Sequence, residues 1–324
     1  MRIGLLGGAR IAPAALIRPA RAAGVEVAAI AARDRGRAAA FATRHDIPVV
    51  HDSYGDLLAD PALDAVYVPL PNGKHAEWTL AALAAGKHVL CEKPLTANAS
   101  QASEVQAAAD RSGLVVMEAF HYRYHPLAAR MAEVAHSGEL GAIRRVQTSM
   151  CFPLPRFSDI RYDYDLAGGA LMDAGCYAVH CLRLLSPGEP RVTDARALLF
   201  RRDPRIDRAM RARFDLGAGA SGVIRASMWS STLLSLGATV VGERGVLKVA
   251  NFAAPHLFAR FTVTVDGRRR QERFNREPTY AYQLRAFAAA VRGEPANLTP
   301  PADSVATMTL IDDIYRAAGL PIRR

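Results

Sequence analysis

Cysteine is scarce in this sequence of 324 residues. The four cysteines, Cys91, Cys151, Cys176 and Cys181, form no C-x-x-C pair and show none of the spacings that hold zinc. A chain of this length can bury a core without disulfide cross-links. We therefore expect reduced cysteines, no bound metal and a cytoplasmic protein.

Long hydrophobic runs are also missing. The best candidate lies around Val27–Ala32 and ends at Arg33, well short of the roughly 18 apolar residues that a membrane-spanning helix needs. Near the N-terminus, Arg10 interrupts the apolar stretch that could otherwise form the centre of a signal peptide. We therefore expect neither a signal peptide nor a membrane partner.

Negative charge is in short supply, because 31 acidic side chains stand against 41 lysines and arginines and leave a net charge of +10. The arginines are scattered, apart from the runs Arg268–Arg270 and Arg323–Arg324. The excess favours phosphorylated ligands, but no helix-turn-helix or zinc-finger spacing accompanies it, so we expect no nucleic-acid partner. Arg268–Arg270 follows Asp266-Gly267, and we interpret this stretch as a solvated hairpin turn.

The first third of the chain alternates strand and helix patterns. Short apolar strands such as Arg2–Leu6 and His88–Cys91 alternate with Ala-rich helices such as Arg35–His45, which predicts an α/β fold with a doubly wound parallel sheet. After about residue 120, β-rich segments such as Val192–Phe200 and Met210–Asp215 predict an α+β domain with a large, mostly antiparallel open sheet.

The length suggests two domains. We place an NAD(P)-binding domain at 1–120 and a substrate-binding and oligomerisation domain at 121–324, with the C-terminal helix packing back on the first domain as one option.

A glycine-rich turn joins the first predicted strand to the first helix. Gly7-Gly8-Ala9-Arg10-Ile11-Ala12 matches the dinucleotide fingerprint G-x-G-x-x-G/A except at Ala9. Gly7 would make the tight turn, Ala9 would let the backbone approach a pyrophosphate, and Ala12 would allow close packing of helix on strand. The amides at the helix start would bind the phosphate. Such turns also arise simply to pack a helix on a strand, and that alternative stays open.

The end of the second strand distinguishes NAD from NADP. An NAD site places a carboxylate there for the ribose hydroxyls. This chain has Ala32 and then Arg33, whose guanidinium suits a 2′-phosphate, while Asp34 is better placed to cap the next helix. We therefore predict NADP(H) in preference to NAD(H). The alternative is that Arg33 is an ordinary solvated surface residue.

The turn Glu92-Lys93-Pro94 lies at the carboxyl end of a predicted parallel strand, where open α/β sheets bind ligands. A lysine at that edge can stabilise a developing alkoxide and lower the pKa of a neighbouring acid. A surface lysine in a turn is the other interpretation.

A second stretch, Gly168–His180, places three polar groups on one helix face. Asp173, Tyr177 and His180 stand at i, i+4 and i+7, so an acid, a phenol and an imidazole would lie side by side. The alternative is that all three are buried polar residues with satisfied hydrogen bonds.

With these motifs assembled, the chain resembles the glucose–fructose oxidoreductase/inositol dehydrogenase (Gfo/Idh/MocA) family over nearly its whole length. The stretches that carry the resemblance are Gly4–Ala12, Ala31–Asp34, Asp60–Trp78, Gly86–Leu95, Met117–Pro126 and Gly168–Tyr177. The resemblance implies an N-terminal Rossmann domain and a C-terminal domain whose open sheet forms a homodimer or homotetramer interface. It also implies hydride transfer between NAD(P) and a carbinol carbon.

The resemblance further implies roles for individual residues. Lys93, Tyr177 and Asp173 would be catalytic: Tyr177 exchanges a proton with the substrate hydroxyl, Lys93 lowers the pKa of the phenol, and Asp173 orients substrate or lysine. Tyr177 and the segment Ala31–Asp34 are similar to the branch that contains NADP-dependent xylose dehydrogenase and dimeric dihydrodiol dehydrogenase. His180 departs from the family pattern.

The implied binding residues form two sets. Those at the cofactor are Gly7, Ala9, Arg10, Ile11, Ala32, Arg33, Pro69, Leu70, Pro71, Asn72, His75, Glu92, Lys93 and Arg161. Those at the substrate are Lys93, Arg123, Asp173, Tyr177 and His180.

Three functions are compatible with these residues. The first is an NADP-dependent dehydrogenase or reductase for a sugar, polyol or cyclic diol, and the second is a ketoreductase for a nucleotide-linked or phosphorylated sugar. The third is a non-catalytic sensor that binds NADP and a sugar. Retention of Lys93, Asp173 and Tyr177 argues against the sensor, because a sensor needs no proton donor.

Overall fold

A computed structural model describes residues 1–324 as two compact units. Unit one comprises Met1–Tyr124 and Tyr280–Val305, and unit two comprises His125–Thr279 and Ala306–Arg324. The division at residue 120 into cofactor and substrate domains stays a prediction.

The strands are β1 (Arg2–Leu6), β2 (Glu26–Ala31), β3 (Val49–Val50), β4 (Ala65–Val68), β5 (His88–Cys91), β6 (Val116–Glu118), β7 (Ile143–Cys151), β8 (Arg191–Phe200), β9 (Asp203–Asp215), β10 (Ser221–Ser227), β11 (Ser235–Gly242), β12 (Gly245–Ala250), β13 (Arg260–Val265) and β14 (Arg268–Glu272). The α-helices are α1 (Arg18–Ala20), α2 (Arg35–His45), α3 (Tyr54–Ala59), α4 (His75–Ala84), α5 (Ala99–Ser112), α6 (Pro126–His136), α7 (Cys176–Leu185), α8 (Thr279–Val291) and α9 (Pro301–Ala317). Two π turns precede helices, Pro13–Ile17 before α1 and Leu171–Gly175 before α7. Short 3-10 turns occur at Arg21–Ala23, Asn72–Lys74, His121–Tyr124 and Ile160–Tyr162.

Unit one contains a six-stranded parallel sheet in the order β3-β2-β1-β4-β5-β6. This is the strand order of dinucleotide-binding folds, and it confirms the predicted doubly wound sheet. Successive residues of β1 are buried on opposite faces, since Ile3 and Leu5 belong to one apolar cluster and Leu6 to another. Leu284 and Phe287 of α8 join the first of these clusters. Burial on both faces explains why the strands have continuous apolar sequences.

Unit two contains an eight-stranded sheet in the order β14-β13-β12-β11-β7-β10-β9-β8. Only β7 and β10 run parallel, so the prediction of a mostly antiparallel open sheet is confirmed. Helix α7 packs on one face of this sheet, where the Thr148 hydroxyl donates to the carbonyl of Ala178 at 2.8 Å.

The prediction that Arg268–Arg270 lies in a solvated turn is wrong. The turn itself occupies Asp266-Gly267, but the arginines form the edge strand β14, where Arg270 pairs with Glu139 and Glu272. The carboxylates that balance this charge come from elsewhere along the chain or from the strand itself, so the run alone suggested a solvated turn.

All four cysteines are free and buried, as expected. None of the helices is both long enough and apolar enough to span a membrane.

Candidate active site

The glycine-rich turn after β1 packs closely against Leu70 and Tyr54. Gly7 has φ +94°, a conformation that L side chains rarely adopt, and its amide donates to the carbonyl of Ala31 at 2.7 Å. An added Cβ there would lie 3.2 Å from Leu70 and 3.4 Å from the Tyr54 hydroxyl. The π turn that follows has no side-chain cap. The turn therefore offers a small, accessible backbone surface of the kind that approaches a pyrophosphate.

The carboxyl end of β2 is cationic. Arg33 and Arg37 are exposed there, while Asp34 caps α2 as predicted, its Oδ1 accepting from the Arg37 amide at 2.8 Å. Burial raises the pKa of Tyr54, and both arginines lie close enough to act in the opposite direction. Two guanidinium groups and a hydroxyl therefore gather beside the Gly7 turn, which fits the 2′-phosphate of NADP.

Sequence reasoning found Arg33 but missed Arg37 and Tyr54. Arg37 stands four positions after Arg33, but Arg33 precedes Asp34, the N-cap of α2, so helical spacing does not relate the two side chains. Tyr54 begins α3, a helix of six residues with a weak pattern, and its approach to Gly7 depends on tertiary packing.

The segment that leaves β4 is fastened to the Glu-Lys-Pro turn. His75 Nδ1 lies 2.7 Å from the carbonyl oxygen of Pro94, and Nε2 lies 2.7 Å from that of Leu70. Two such contacts favour the imidazolium, yet complete burial outweighs them and lowers the pKa of His75 to about 4. Both ring nitrogens thus face main-chain carbonyls, and a contact from His75 to a cofactor stays a prediction.

Buried groups also hold the residues on either side of Lys93. The Tyr67 hydroxyl donates to Glu92 Oε1 at 2.6 Å, and burial together with this carboxylate raises the pKa of Tyr67. Two residues beyond Lys93, the Leu95 amide donates to the buried Glu118 carboxylate at 2.9 Å. The half-buried Lys93 is therefore carried on a turn with little freedom to move.

Asp173, Tyr177 and His180 are all less than a tenth exposed in unit two. Asp173 lies inside the π turn Leu171–Gly175, whereas Tyr177 and His180 belong to α7. The regular α spacing assumed from the sequence is therefore interrupted between the acid and the phenol. Single π turns inside helices are rare and frequently mark functional sites.

Arg161 pairs directly with Asp173. Its Nε lies 2.8 Å from Asp173 Oδ2, and its Nη1 lies 3.0 Å from Asp159 Oδ1. Burial works against the guanidinium charge, but the two carboxylates outweigh it and raise the pKa of Arg161. The acid of this pair, Asp173, therefore precedes Tyr177 by four residues and is held by a guanidinium.

An aromatic cluster adjoins this pair. The ring centroid of Tyr162 lies 4.8 Å from that of Phe200 and 5.6 Å from that of Phe157, which in turn meets Trp229 at 6.0 Å. The Tyr162 hydroxyl donates to a main-chain carbonyl, and burial raises its pKa to about 12. Such a cluster offers an apolar, hydroxyl-poor surface next to the Arg161–Asp173 pair.

The predicted site residues fall into two groups. Those in unit one are Gly7, Ala9, Arg10, Ile11, Ala32, Arg33, Pro69, Leu70, Pro71, Asn72, His75, Glu92, Lys93 and Arg123. Those in unit two are Arg161, Asp173, Tyr177 and His180. Within unit one they lie at the turn after β1 and beyond the carboxyl ends of β2, β4 and β5, apart from Arg123 in the 3-10 turn His121–Tyr124. Their roles stay predictions.

Two family models match the chain. Residues 1–120 match the model described as an oxidoreductase family with an NAD-binding Rossmann fold, and residues 128–248 match the GFO/IDH/MocA C-terminal domain. Together these matches cover most of the sequence.

Individual relatives agree with the family models. The chain is 40% identical over 323 residues to D-xylose 1-dehydrogenase (NADP(+)) 2 of Haloferax volcanii, covering 98% of this chain and 97% of that relative. It is 29% identical over 249 residues to trans-1,2-dihydrobenzene-1,2-diol dehydrogenase of Xenopus tropicalis, covering 76% and 72%. Among solved structures, the 3-ketoreductase KijD10 from Actinomadura kijaniata, in complex with NADP and TDP-benzene, superposes with a TM-score of 0.90 at 31% identity, covering 98% and 97%.

Proposed function

The chain belongs to the GFO/IDH/MocA oxidoreductase family, and from this premise we infer that it is an NADP-dependent oxidoreductase acting on a sugar, polyol or cyclic diol. It transfers a hydride between nicotinamide and a carbinol or carbonyl carbon. The observation that supports NADP as the cofactor is the cationic carboxyl end of β2, where Arg33 and Arg37 lie near the Tyr54 hydroxyl. The nearest acid, Asp34, is engaged as a helix cap.

The cofactor residues follow from the same geometry. The Gly7–Ala12 turn would take the pyrophosphate, and Arg33 with Arg37 would take the 2′-phosphate. Glu92, oriented by the Tyr67 hydroxyl, would meet the nicotinamide ribose. When bound, NADPH supplies the hydride for reduction, and NADP⁺ accepts it in the oxidative direction.

The proton chemistry is assigned to Tyr177 and Lys93. In reduction Tyr177 donates its phenolic proton to the carbonyl oxygen, and the Lys93 ammonium stabilises the negative charge that develops there. In oxidation the Tyr177 phenolate takes the proton of the hydroxyl. Asp173, paired with Arg161, orients the substrate hydroxyl.

An unmodified sugar or diol suits unit two better than a nucleotide-linked one. A diphosphate needs uncommitted cations, but Arg161 is engaged by two carboxylates and Arg205 forms a bidentate pair with Asp203. Arg208, whose charge acts on Tyr162, donates to the carbonyls of Leu199 and Trp229. The structural similarity to KijD10 keeps the nucleotide-sugar ketoreductase as the second candidate.

The test combines calorimetry with a substrate panel. We expect NADPH to bind more tightly than NADH, and the preference to be lost in Arg33→Ala. We expect turnover with NADP⁺ on D-xylose, another aldose or a cyclic diol, and none with a dTDP-linked sugar. Tight NADH binding that is unchanged in Arg33→Ala would contradict the assignment of Arg33 to the 2′-phosphate. NADPH binding without any turnover would favour the non-catalytic sensor.

We further propose a cytoplasmic homodimer or homotetramer formed through the open sheet of unit two. On β9 and β10, Arg211 and Arg225 face each other across the strands and are exposed, so this face has no cover within unit two. The free cysteines suit a reducing compartment. Sedimentation at two or four times the chain mass of 34.9 kDa would support the proposal, and a monomer would contradict it.

A further inference from the structure

Arg323, which one more residue follows in this sequence, is fully buried. Its Nη2 lies 2.9 Å from Oδ1 of the equally buried Asp207, and its Nε donates to the carbonyl oxygen of Gly168 at 2.7 Å. Its guanidinium lies over the Tyr315 ring at 4.2 Å and the Tyr164 ring at 5.1 Å. Arginine is almost never fully buried in a folded protein unless it is paired, so these contacts need an explanation.

The Asp207 carboxylate extends the contacts to the helix that carries Tyr177. Its Oδ2 accepts from the amide of Leu171, the first residue of the π turn, at 2.7 Å. Its Oδ1 accepts from the Tyr315 hydroxyl at 3.0 Å as well as from Arg323. Because the π turn has no side-chain cap of its own, Asp207 serves as the acceptor for its first amide.

Gly169 shows how closely the helix start sits on this pair. It has φ +131°, and an added Cβ would lie 2.8 Å from Arg323 Nη2 and 2.9 Å from the Tyr315 hydroxyl. Its carbonyl accepts from the Asp173 amide at 3.0 Å, and its amide donates to the carbonyl of Arg161 at 2.9 Å. The main chain that presents Arg161 and Asp173 therefore rests directly on the buried ion pair.

We propose that Arg323 is a positioning residue for the oxidoreductase reaction, holding the Gly168–Leu171 helix start through Gly168 and Asp207 so that Asp173 and Tyr177 keep their reactive orientation. This inference rests on the proposed function. Burying two charges costs desolvation, which their mutual attraction offsets only when further hydrogen bonds complete the site. Here those bonds go to the carbonyl of Gly168 and the amide of Leu171, the two main-chain groups that set where the helix begins.

The first experiment compares Arg323→Met with Arg324→Met. The neighbouring Arg324 is exposed, so its substitution is a matched control for the loss of one positive charge. We expect kcat of Arg323→Met to fall about 10- to 100-fold, because small misplacements of reacting groups have effects of that size. The Kd for NADPH should not change, and Arg324→Met should behave as wild type. Equal kcat values in the two variants would overturn the proposal.

A double variant separates positioning from general stability. Arg323→Met leaves Asp207 buried without its cation, which lowers the melting temperature, whereas Asp207→Leu together with Arg323→Met removes both charges and should restore most of it. We expect kcat of the double variant to stay low, because neither main-chain group of the helix start regains its partner. Recovery of kcat together with the melting temperature would show a purely structural role and overturn the proposal.

Hydrogen exchange gives a measurement that needs no substrate. Peptides covering residues 168–185 should exchange faster in Arg323→Met than in Arg324→Met, and the double variant should stay fast. If wild type turns over no sugar or diol, the proposed function fails while the exchange result still tests Arg323. Unchanged exchange in residues 168–185 would contradict the positioning role by itself.

Discussion

Each unit contains a glycine pair followed by a π turn, and the two differ in what completes them. In unit one, Gly7-Gly8 leads to the π turn Pro13–Ile17, which has no side-chain cap and lies beside exposed residues. In unit two, Gly168-Gly169 leads to Leu171–Gly175, which is buried throughout and held by Asp207 and Arg323.

The difference shows how one local geometry serves two purposes. The helix start in unit one follows a turn with exposed residues, Gly8 and Arg10, where a ligand can approach the main chain and an anionic ligand gains from the helix dipole. A helix start whose amide is already bonded to Asp207 has no such capacity at that point, but its side chains are held in one orientation. We therefore expect substitutions at the first start to change binding, and substitutions at the second to change turnover or stability.

The largest expected effect is at Tyr177. Tyr177→Phe removes the proposed proton donor, so kcat should fall about 10²- to 10⁴-fold while calorimetry shows unchanged NADPH binding. Lys93→Met should reduce kcat by orders of magnitude as well. Tyr124→Phe, which removes a partly buried hydroxyl bonded to Thr299, is the control and should keep kcat within a few-fold of wild type. Wild-type turnover in both Tyr177→Phe and Lys93→Met would remove the catalytic assignment.

Alanine substitutions at Gly169 and Gly7 test the difference between the two helix starts directly. Gly169→Ala would drive a methyl group into the Asp207–Arg323 pair and should lower the free energy of unfolding by about 3 kcal/mol. Gly7→Ala introduces backbone strain of about 1–2 kcal/mol, and its main effect should be weaker NADPH binding. Denaturant unfolding and calorimetry measure the two quantities. The contrast fails if Gly169→Ala weakens NADPH binding more than it lowers stability.

A smaller effect is expected at the end of β2. Arg33→Ala and Arg37→Ala should each weaken NADPH binding about 10- to 100-fold, the size of one charge-assisted hydrogen bond of about 1.5–3 kcal/mol. NADH binding should not change, because NADH has no 2′-phosphate. Arg35→Ala is the control, since Arg35 is engaged with Asp52 on the surface. Equal losses for NADPH and NADH would show that the arginines act on the fold instead.

The last comparison concerns the effect of acid on His75, which fastens the segment after β4 to the Glu-Lys-Pro turn of unit one. Burial lowers the pKa of His75 to about 4 in the folded protein against an ordinary value of 6.5, so the folded state binds fewer protons than the unfolded state between these values. The stability from neutral His75 is complete above pH 6.5 and is lost as the pH falls towards 4, by about 3 kcal/mol in total.

The measurement is the melting temperature between pH 4 and 7. His75→Gln should show a shallower decline with acid than wild type, whereas His136→Gln, at an exposed histidine, should follow the wild-type curve. Parallel curves for wild type and His75→Gln would mean that other groups cause the acid sensitivity.

Much of the framework was predictable from local patterns. The bounds of β1, α2 and β5 agree with the sequence-based ranges, and Asp34 caps α2 as predicted. Apolar periodicity and capping residues act within one or two helical turns, so a short window of sequence contains the information they need. The family motifs extended this to the fold class and the cofactor, both of which are confirmed.

The first half of β9 and the anchoring of α7 were not predictable in this way. The stretch Asp203–Arg208 has a proline and alternating charges, which do not predict a strand, and the predicted strand begins only at Met210. It forms a strand nonetheless, paired with β8, and its Asp207 is buried against an arginine 116 residues away in the sequence.

The sequence alone therefore determined the class of fold, the family and the preference for a 2′-phosphate. Only the tertiary structure decided that Arg37 and Tyr54 join Arg33, that a π turn holds Asp173, and that Arg323 is buried while its neighbour Arg324 is exposed. The physical reason is that burial of a charge depends on its partners in space, and those partners lie far away along the chain.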